Sequence, residues 1–196
     1  MVQIRIPKPW LISALRRETD YQRWTNPRSI YTAWEPRTQR AASFVPDGSN
    51  VIEFGAATRV LEKFLDPSCS YTPSDIVDRG PGTLVLDLNE RPLPDLVGYD
   101  VAVMMGVLEY IVDVPEVADW LREHFRIVMV CYACADPKKR SLRARFGSLG
   151  RVTGGWMNNY RVADLRSVFV DRGYTVSHEE DWKEQRMFIF SQEPAG

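Results

Sequence analysis

Nine residues, VIEFGAATR at 51–59, constrain this chain more than any other stretch. Apolar residues with an acidic one among them, Val51-Ile52-Glu53-Phe54, run straight into Gly55. Helical spacing resumes at once over 60–65. A strand, a tight turn and a helix in immediate succession open a nucleotide-binding α/β unit. Glycine belongs in such a turn because it adopts positive φ without cost and lets a ligand approach the main chain.

The remaining sequence supplies what such a unit needs around it. Residues 50–192 alternate between short apolar runs and helical patterns. Strands are expected at 50–54, 70–74, 83–88, 101–105, 127–132, 174–182 and 186–191. Helices are expected at 58–65, 114–124 and 161–172, the last with Val162, Leu165, Val168 and Phe169 on one face. Continuous apolar strands separated by helices imply a mostly parallel sheet covered on both faces. The last two strands, joined by the polar turn 183–185, form an antiparallel hairpin. The expectation is therefore an α/β fold with a seven-stranded sheet. The link 75–82 is too short for a helical crossover, so that side is trimmed.

Upstream, residues 1–49 read as a helical cap on the same single domain. A helix is expected over 10–24, ended by Asn26-Pro27, and a second is capped by Ser29 and runs through Trp34. Pro36 suits the first turn of a third, running to Phe44, and PDGSN at 46–50 is a turn.

Four further stretches carry chemistry. Asp75 lies 22 residues after Glu53, at a strand end; a carboxylate at that distance from the glycine turn binds ribose hydroxyls in dinucleotide folds, although an ordinary strand-end Asp has the same appearance. VLDLN at 85–89 places Asp87 and Leu88 after another strand. YDVAVMMGVLEYI at 99–111 ends a strand in Gly106-Val107-Leu108-Glu109-Tyr110. The stretch 154–182 combines a Trp-x-Asn turn, a helix, a glycine and a strand.

Together these stretches resemble the class I S-adenosylmethionine-dependent methyltransferases, over roughly 51–192. The resemblance implies a Rossmann-like methyltransferase fold and S-adenosylmethionine as cofactor. It implies cofactor contacts from Glu53, Gly55, Ala57, Asp75, Asp87, Leu88, Gly106, Val107 and Leu108. Asp75 would serve the ribose, Asp87 the adenine amino group, and the turn from Gly106 the sulfonium. Ala57 and Arg59 stand where the family has its second and third glycines, and Arg59 could bring a positive charge to the cofactor's carboxylate. Tyr110 stands where some members carry a histidine base. Tyr110, Tyr132, Asn158 and Tyr160 are the candidates to touch the acceptor, and no residue is assigned as catalytic base. Tyr31 and Trp34 either shape the acceptor pocket or pack the cap on the sheet.

Composition narrows the partners. The net charge is −1 over 196 residues, so no global field draws the chain to nucleic acid or membrane. The N-terminus lacks a signal-peptide core and no window is apolar enough to span a membrane, so a cytoplasmic setting is expected. Three cysteines make no disulfide framework. Cys131 and Cys134 share a redox spacing but read as core, and neither His124 nor His178 belongs to a metal-ligand pattern. The basic run Lys138, Lys139, Arg140, Arg143, Arg145 and Arg151 is either a solvated face or a clamp for an anionic small molecule. The function expected is methyl transfer to a small metabolite or sugar-type acceptor, an anionic one if the basic run is a clamp. Two alternatives stay open: a degenerate methyltransferase fold used as a scaffold, and a nicotinamide-dependent oxidoreductase.

Overall fold

The computed structural model describes residues 18–30, 33, 35–135, 151 and 154–193. Its centre is a seven-stranded sheet: β1 (Asn50–Phe54), β2 (Ser70–Asp75), β3 (Leu84–Val85), β4 (Val101–Met105), β5 (Ile127–Tyr132), β6 (Thr175–Trp182) and β7 (Gln185–Ser191). The spatial order is β3-β2-β1-β4-β5-β7-β6. The first five strands are mutually parallel, and β7 lies antiparallel between β5 and β6. Chain order reverses between β1 and β4, which pair from Val51↔Val101 to Glu53↔Val103. The crevice outside the carboxyl ends of those strands is where this class of sheet binds ligands.

Side-chain alternation along the strands builds two cores. On one face Ile52, Phe54, Ala102, Met104, Val128, Val130, Phe188 and Phe190 pack against two helices. These are α3 (Val114–His124) and α4 (Val162–Val170). On the other face Val51, Val101, Val103, Met105, Met129, Cys131, Met187 and Ile189 pack against Ala41 and Ala42. Those two alanines belong to α2 (Glu35–Ala42), whose Pro36 sits in the first turn as its missing N–H permits. Asp113 caps α3, accepting from the Glu116 amide at 3.0 Å. Every residue of β4 is buried, as a central strand sandwiched between two helical layers must be.

Several expected elements are shorter than the sequence suggests. The helix expected over 58–65 is only a 3-10 turn, Leu61–Lys63. Ala57 and Arg59 adopt φ of 45° and 55°, so right-handed helix cannot start at Thr58. The strand expected over 83–88 pairs only at Ser74↔Leu84 and Asp75↔Val85. The Asn89 and Glu90 amides turn back onto Asp87, which ends it. The link between β2 and β3 contains no helix. Ser29 ends a 3-10 turn, Pro27–Ser29, that Asn26 caps; it does not start a helix. Residues 18–20 are not helical, and Asp20 caps a new short helix, α1 (Tyr21–Trp24). The part of the first expected helix before residue 18 lies outside the described residues, as do Tyr31, Trp34 and the basic residues 138–145. No helix among the described residues is long and apolar enough to cross a membrane.

Candidate active site

The turns that leave β1 and β4 meet at the reversal point. Gly55 has φ 68°, and a Cβ there would lie 2.7 Å from Cγ2 of Val107. Glycine is therefore required twice over, for its dihedral and for its space. Gly106 has φ 77°, and a Cβ there would meet the Arg37 guanidinium at 3.0 Å. The left-handed conformation recurs at Gly55, Ala57 and Arg59. The backbone thus keeps a three-glycine turn although two of the glycines are gone, at roughly 1 kcal/mol or more for each replaced position.

Each replacement is held by hydrogen bonds. The Ala57 amide donates to Asp75 Oδ2 at 3.1 Å. The Arg59 guanidinium points away from the cavity, to Gly80 O at 3.0 Å, Pro81 O at 2.7 Å and Thr83 Oγ1 at 2.8 Å. It pins the shortened link between β2 and β3, so the charge proposed for the cofactor's carboxylate is spent elsewhere.

One cavity lies over these turns, lined by Glu53, Gly55, Ala57, Asp75, Asp87, Leu88, Gly106, Val107 and Tyr110 among others. Leu108 does not line it; that side chain is fully buried in the core. Tyr132, Asn158 and Tyr160 do not line it either. The Tyr132 hydroxyl donates to Asn158 Oδ1 at 2.6 Å and accepts from the Tyr160 amide at 2.9 Å. Asn158 Nδ2 in turn donates to Leu108 O at 2.6 Å and Ile111 O at 2.8 Å. These three residues brace the turn after β4, and only Tyr110 of the four acceptor candidates reaches the cavity.

Glu53 faces the apolar side of the sheet, beside Val51 and Val103, and is 4% exposed. Burial pushes its carboxyl up to about 8, against the opposing pull of the Tyr71 hydroxyl at 2.6 Å and the Arg37 guanidinium. Glu109 is fully enclosed, and burial raises its carboxyl as well. Its Oε1 accepts from the Ala133 amide at 3.0 Å, tying the turn after β4 to the end of β5. Burial also pushes the thiols of Cys131 and Cys134 up to about 12, which suits packing and not nucleophilic chemistry.

The sequence pattern did not single out three residues that line the cavity wall, Trp24, Arg37 and Arg79, nor Tyr21, which reaches Asp87 without lining the cavity. Arg37 is 4% exposed and donates to Met105 O and Gln185 Oε1, both at 2.8 Å. It lies four residues before Ala41, on the buried face of α2, and an arginine on that apolar face was the available signal. Asn89 joins two turns, donating to Tyr110 O at 2.9 Å and accepting from the Val112 amide at 2.8 Å. Trp24 meets Tyr110 edge to face at 4.9 Å, with the Arg23 guanidinium over both rings. Arg23 is held in place by the Gly154 carbonyl.

The groups that line the cavity suit S-adenosylmethionine: the Gly55 and Gly106 turns and the carboxylates of Asp75 and Asp87 all border it. Comparison with known proteins points the same way. A family model described as a methyltransferase domain matches residues 21–179. No curated protein matches the sequence. A candidate O-methyltransferase of Nostoc punctiforme shares 13% identity and a TM-score of 0.65, with 93% of this chain and 66% of that one covered. Human N-acetylserotonin methyltransferase, solved with S-adenosylmethionine, shares 15% and 0.62, with 96% and 61% covered. The N-methyltransferase NodS of Bradyrhizobium japonicum, solved with S-adenosylhomocysteine, shares 14% and 0.58, with 95% and 100% covered. The chain spans about two thirds or less of the first two of these proteins. Their likeness shows a common fold, and the family match covers most of the chain, which belongs to the class I S-adenosylmethionine-dependent methyltransferase family.

Proposed function

We propose that the cavity at the β1/β4 reversal binds S-adenosylmethionine and that the protein transfers its methyl group to a small acceptor. The observation that carries this reading is the left-handed series at positions 55, 57 and 59, kept in a turn that no longer has the glycines to make it easy. Asp75 would take the ribose hydroxyls and Asp87 the adenine amino group, with Leu88 packed on the ring. The turns at Gly55 and Gly106 would flank the methionine part, with Glu53 and Arg37 beyond them. The cofactor supplies an electrophilic carbon activated by its sulfonium charge. The chain has to align the acceptor, exclude water and let a proton leave.

The cavity holds no histidine among its described lining residues. Tyr110, which follows the Gly106 turn and lines the cavity, is the group proposed to hydrogen-bond the acceptor. An acceptor that loses its proton easily, or that reacts as a neutral amine, suits such a site. An anionic metabolite or sugar-type acceptor is the class to screen first, on the strength of the basic run at 138–151. The family match weighs against the oxidoreductase reading. The scaffold reading draws on the missing glycines at positions 57 and 59 and on the engagement of Asp75 by Arg79.

Titration calorimetry with S-adenosylhomocysteine, with NAD as control, tests the proposal. Micromolar binding, roughly −8 kcal/mol, is the expected result. No heat at millimolar ligand would remove the enzyme reading and leave the scaffold.

A further inference from the structure

The hydrogen-bonding positions of the nucleoside site are occupied by the chain's own donors. Asp75 is the clearest case. Its Oδ2 accepts from the Ala57 amide at 3.1 Å and Arg79 Nε at 3.0 Å, and its Oδ1 from the Val77 amide and Arg79 Nη2, both at 3.3 Å. A carboxylate offers about four lone-pair sites, and all four are used. A ribose hydroxyl can donate to Asp75 only if one of these donors leaves, and the Arg79 side chain is the one that can move.

Arg79 is in turn fastened to the segment 19–24. Its Nη2 donates to Trp24 O at 2.9 Å. The same segment reaches the adenine end. The Tyr21 hydroxyl lies 2.8 Å from Asp87 Oδ2 and 2.9 Å from Glu90 Oε1, and Asn89 Nδ2 donates to Thr19 Oγ1 at 3.0 Å. Tyr21 is 40% exposed, so its side chain is held by the hydroxyl contacts more than by burial. A short helix of four residues capped by Asp20 has little stability of its own. Its position depends on these contacts with the site.

From this geometry we infer that residues 19–24 and Arg79 form an internal latch that competes with the nucleoside half of the cofactor for Asp75 and Asp87. Binding then displaces the latch: the adenine amino group replaces the Tyr21 hydroxyl at Asp87, and the ribose replaces the Arg79 guanidinium at Asp75. The inference rests on the cofactor site proposed above and adds a regulatory step to it.

Two variants and one exchange measurement test the latch. Tyr21→Phe removes the hydroxyl and keeps the ring. Arg79→Met keeps the aliphatic stem and removes the donors. Each is expected to tighten S-adenosylhomocysteine binding by about three- to ten-fold, the usual net worth of a hydrogen bond that no longer has to be broken. In the unmodified protein, adding S-adenosylhomocysteine should speed amide exchange at Trp24 and Thr25, whose N–H groups close α1. Weaker or unchanged binding in both variants, or slower exchange at those amides, would overturn the latch and make the segment a fixed wall of the site. Absence of binding in all three proteins would overturn the cofactor site itself, and the latch with it.

Discussion

Glu53 shows how one residue's surroundings set its chemistry. It sits in a strand position whose neighbours on the same face are apolar, so its carboxyl titrates near 8 and not in the usual range. A carboxyl raised in the folded state binds a proton that the unfolded chain releases. Its contribution to stability is therefore complete below about pH 4.5 and is lost as pH rises toward 8. We predict that chemical denaturation from pH 5 to 8 shows falling stability. Glu53→Gln should flatten much of that slope, and the remainder belongs to Glu109, which shifts in the same direction. A slope unchanged in Glu53→Gln would mean that Glu53 is already ionised in the folded protein. Asp75→Ala is expected to weaken S-adenosylhomocysteine binding by roughly ten- to a hundred-fold, since charged hydrogen bonds to the ribose go with it. Calorimetry on that variant decides the point, and equal affinity would remove Asp75 from the site. Gly55→Ala should cost roughly 2–3 kcal/mol in urea unfolding, because the added methyl is strained at φ 68° and collides with Val107.

Among the elements, the turn between β1 and the 3-10 turn at Leu61–Lys63 is the most informative. A helix expected from residue 58 does not form there, because left-handed residues at 57 and 59 interrupt it. Arg59 has a structural duty in place of the glycine it displaces, since its three contacts hold the link between β2 and β3. Arg59→Ala should destabilise the protein by about 1–2 kcal/mol, with faster amide exchange at Thr83, whose N–H donates to Gly80 O. Unaltered exchange there would show that the link holds itself. The brace made by Tyr132, Asn158 and Tyr160 illustrates the same theme. Residues chosen from sequence as acceptor contacts turn out to position the turn that carries Tyr110.

For the molecule as a whole, the cavity lies at the chain-order reversal between the paired strands β1 and β4, and Thr19, Asp20, Arg23 and Trp24 form part of its lining. A ligand that binds only the folded state raises its stability by mass action, about 2.7 kcal/mol at a hundred times the dissociation constant. For a chain of this size that is a rise of roughly 5–10 °C in Tm. We predict this shift with S-adenosylhomocysteine and none with NAD, read by thermal unfolding. A shift with NAD alone would return the oxidoreductase reading.

The sequence by itself determined the alternation of strands and helices, because apolar runs and helical periodicity are local signals. Strands β1, β4 and β5 and helix α3 have the bounds that those patterns predict. It also placed Gly55 and Gly106 in turns, Asp75 at the end of β2 and Asp87 just after β3, since turn and strand signals are local. Only the tertiary structure decided the strand order, with β7 inserted beside β5. It also decided which candidates face the cavity, which donors hold Asp75 and Asp87, and which acceptors hold Arg59. Those depend on contacts between residues far apart in sequence, such as Tyr21 with Asp87 and Asn158 with Leu108. No local pattern encodes a hydrogen bond whose partners meet only when the sheet has closed.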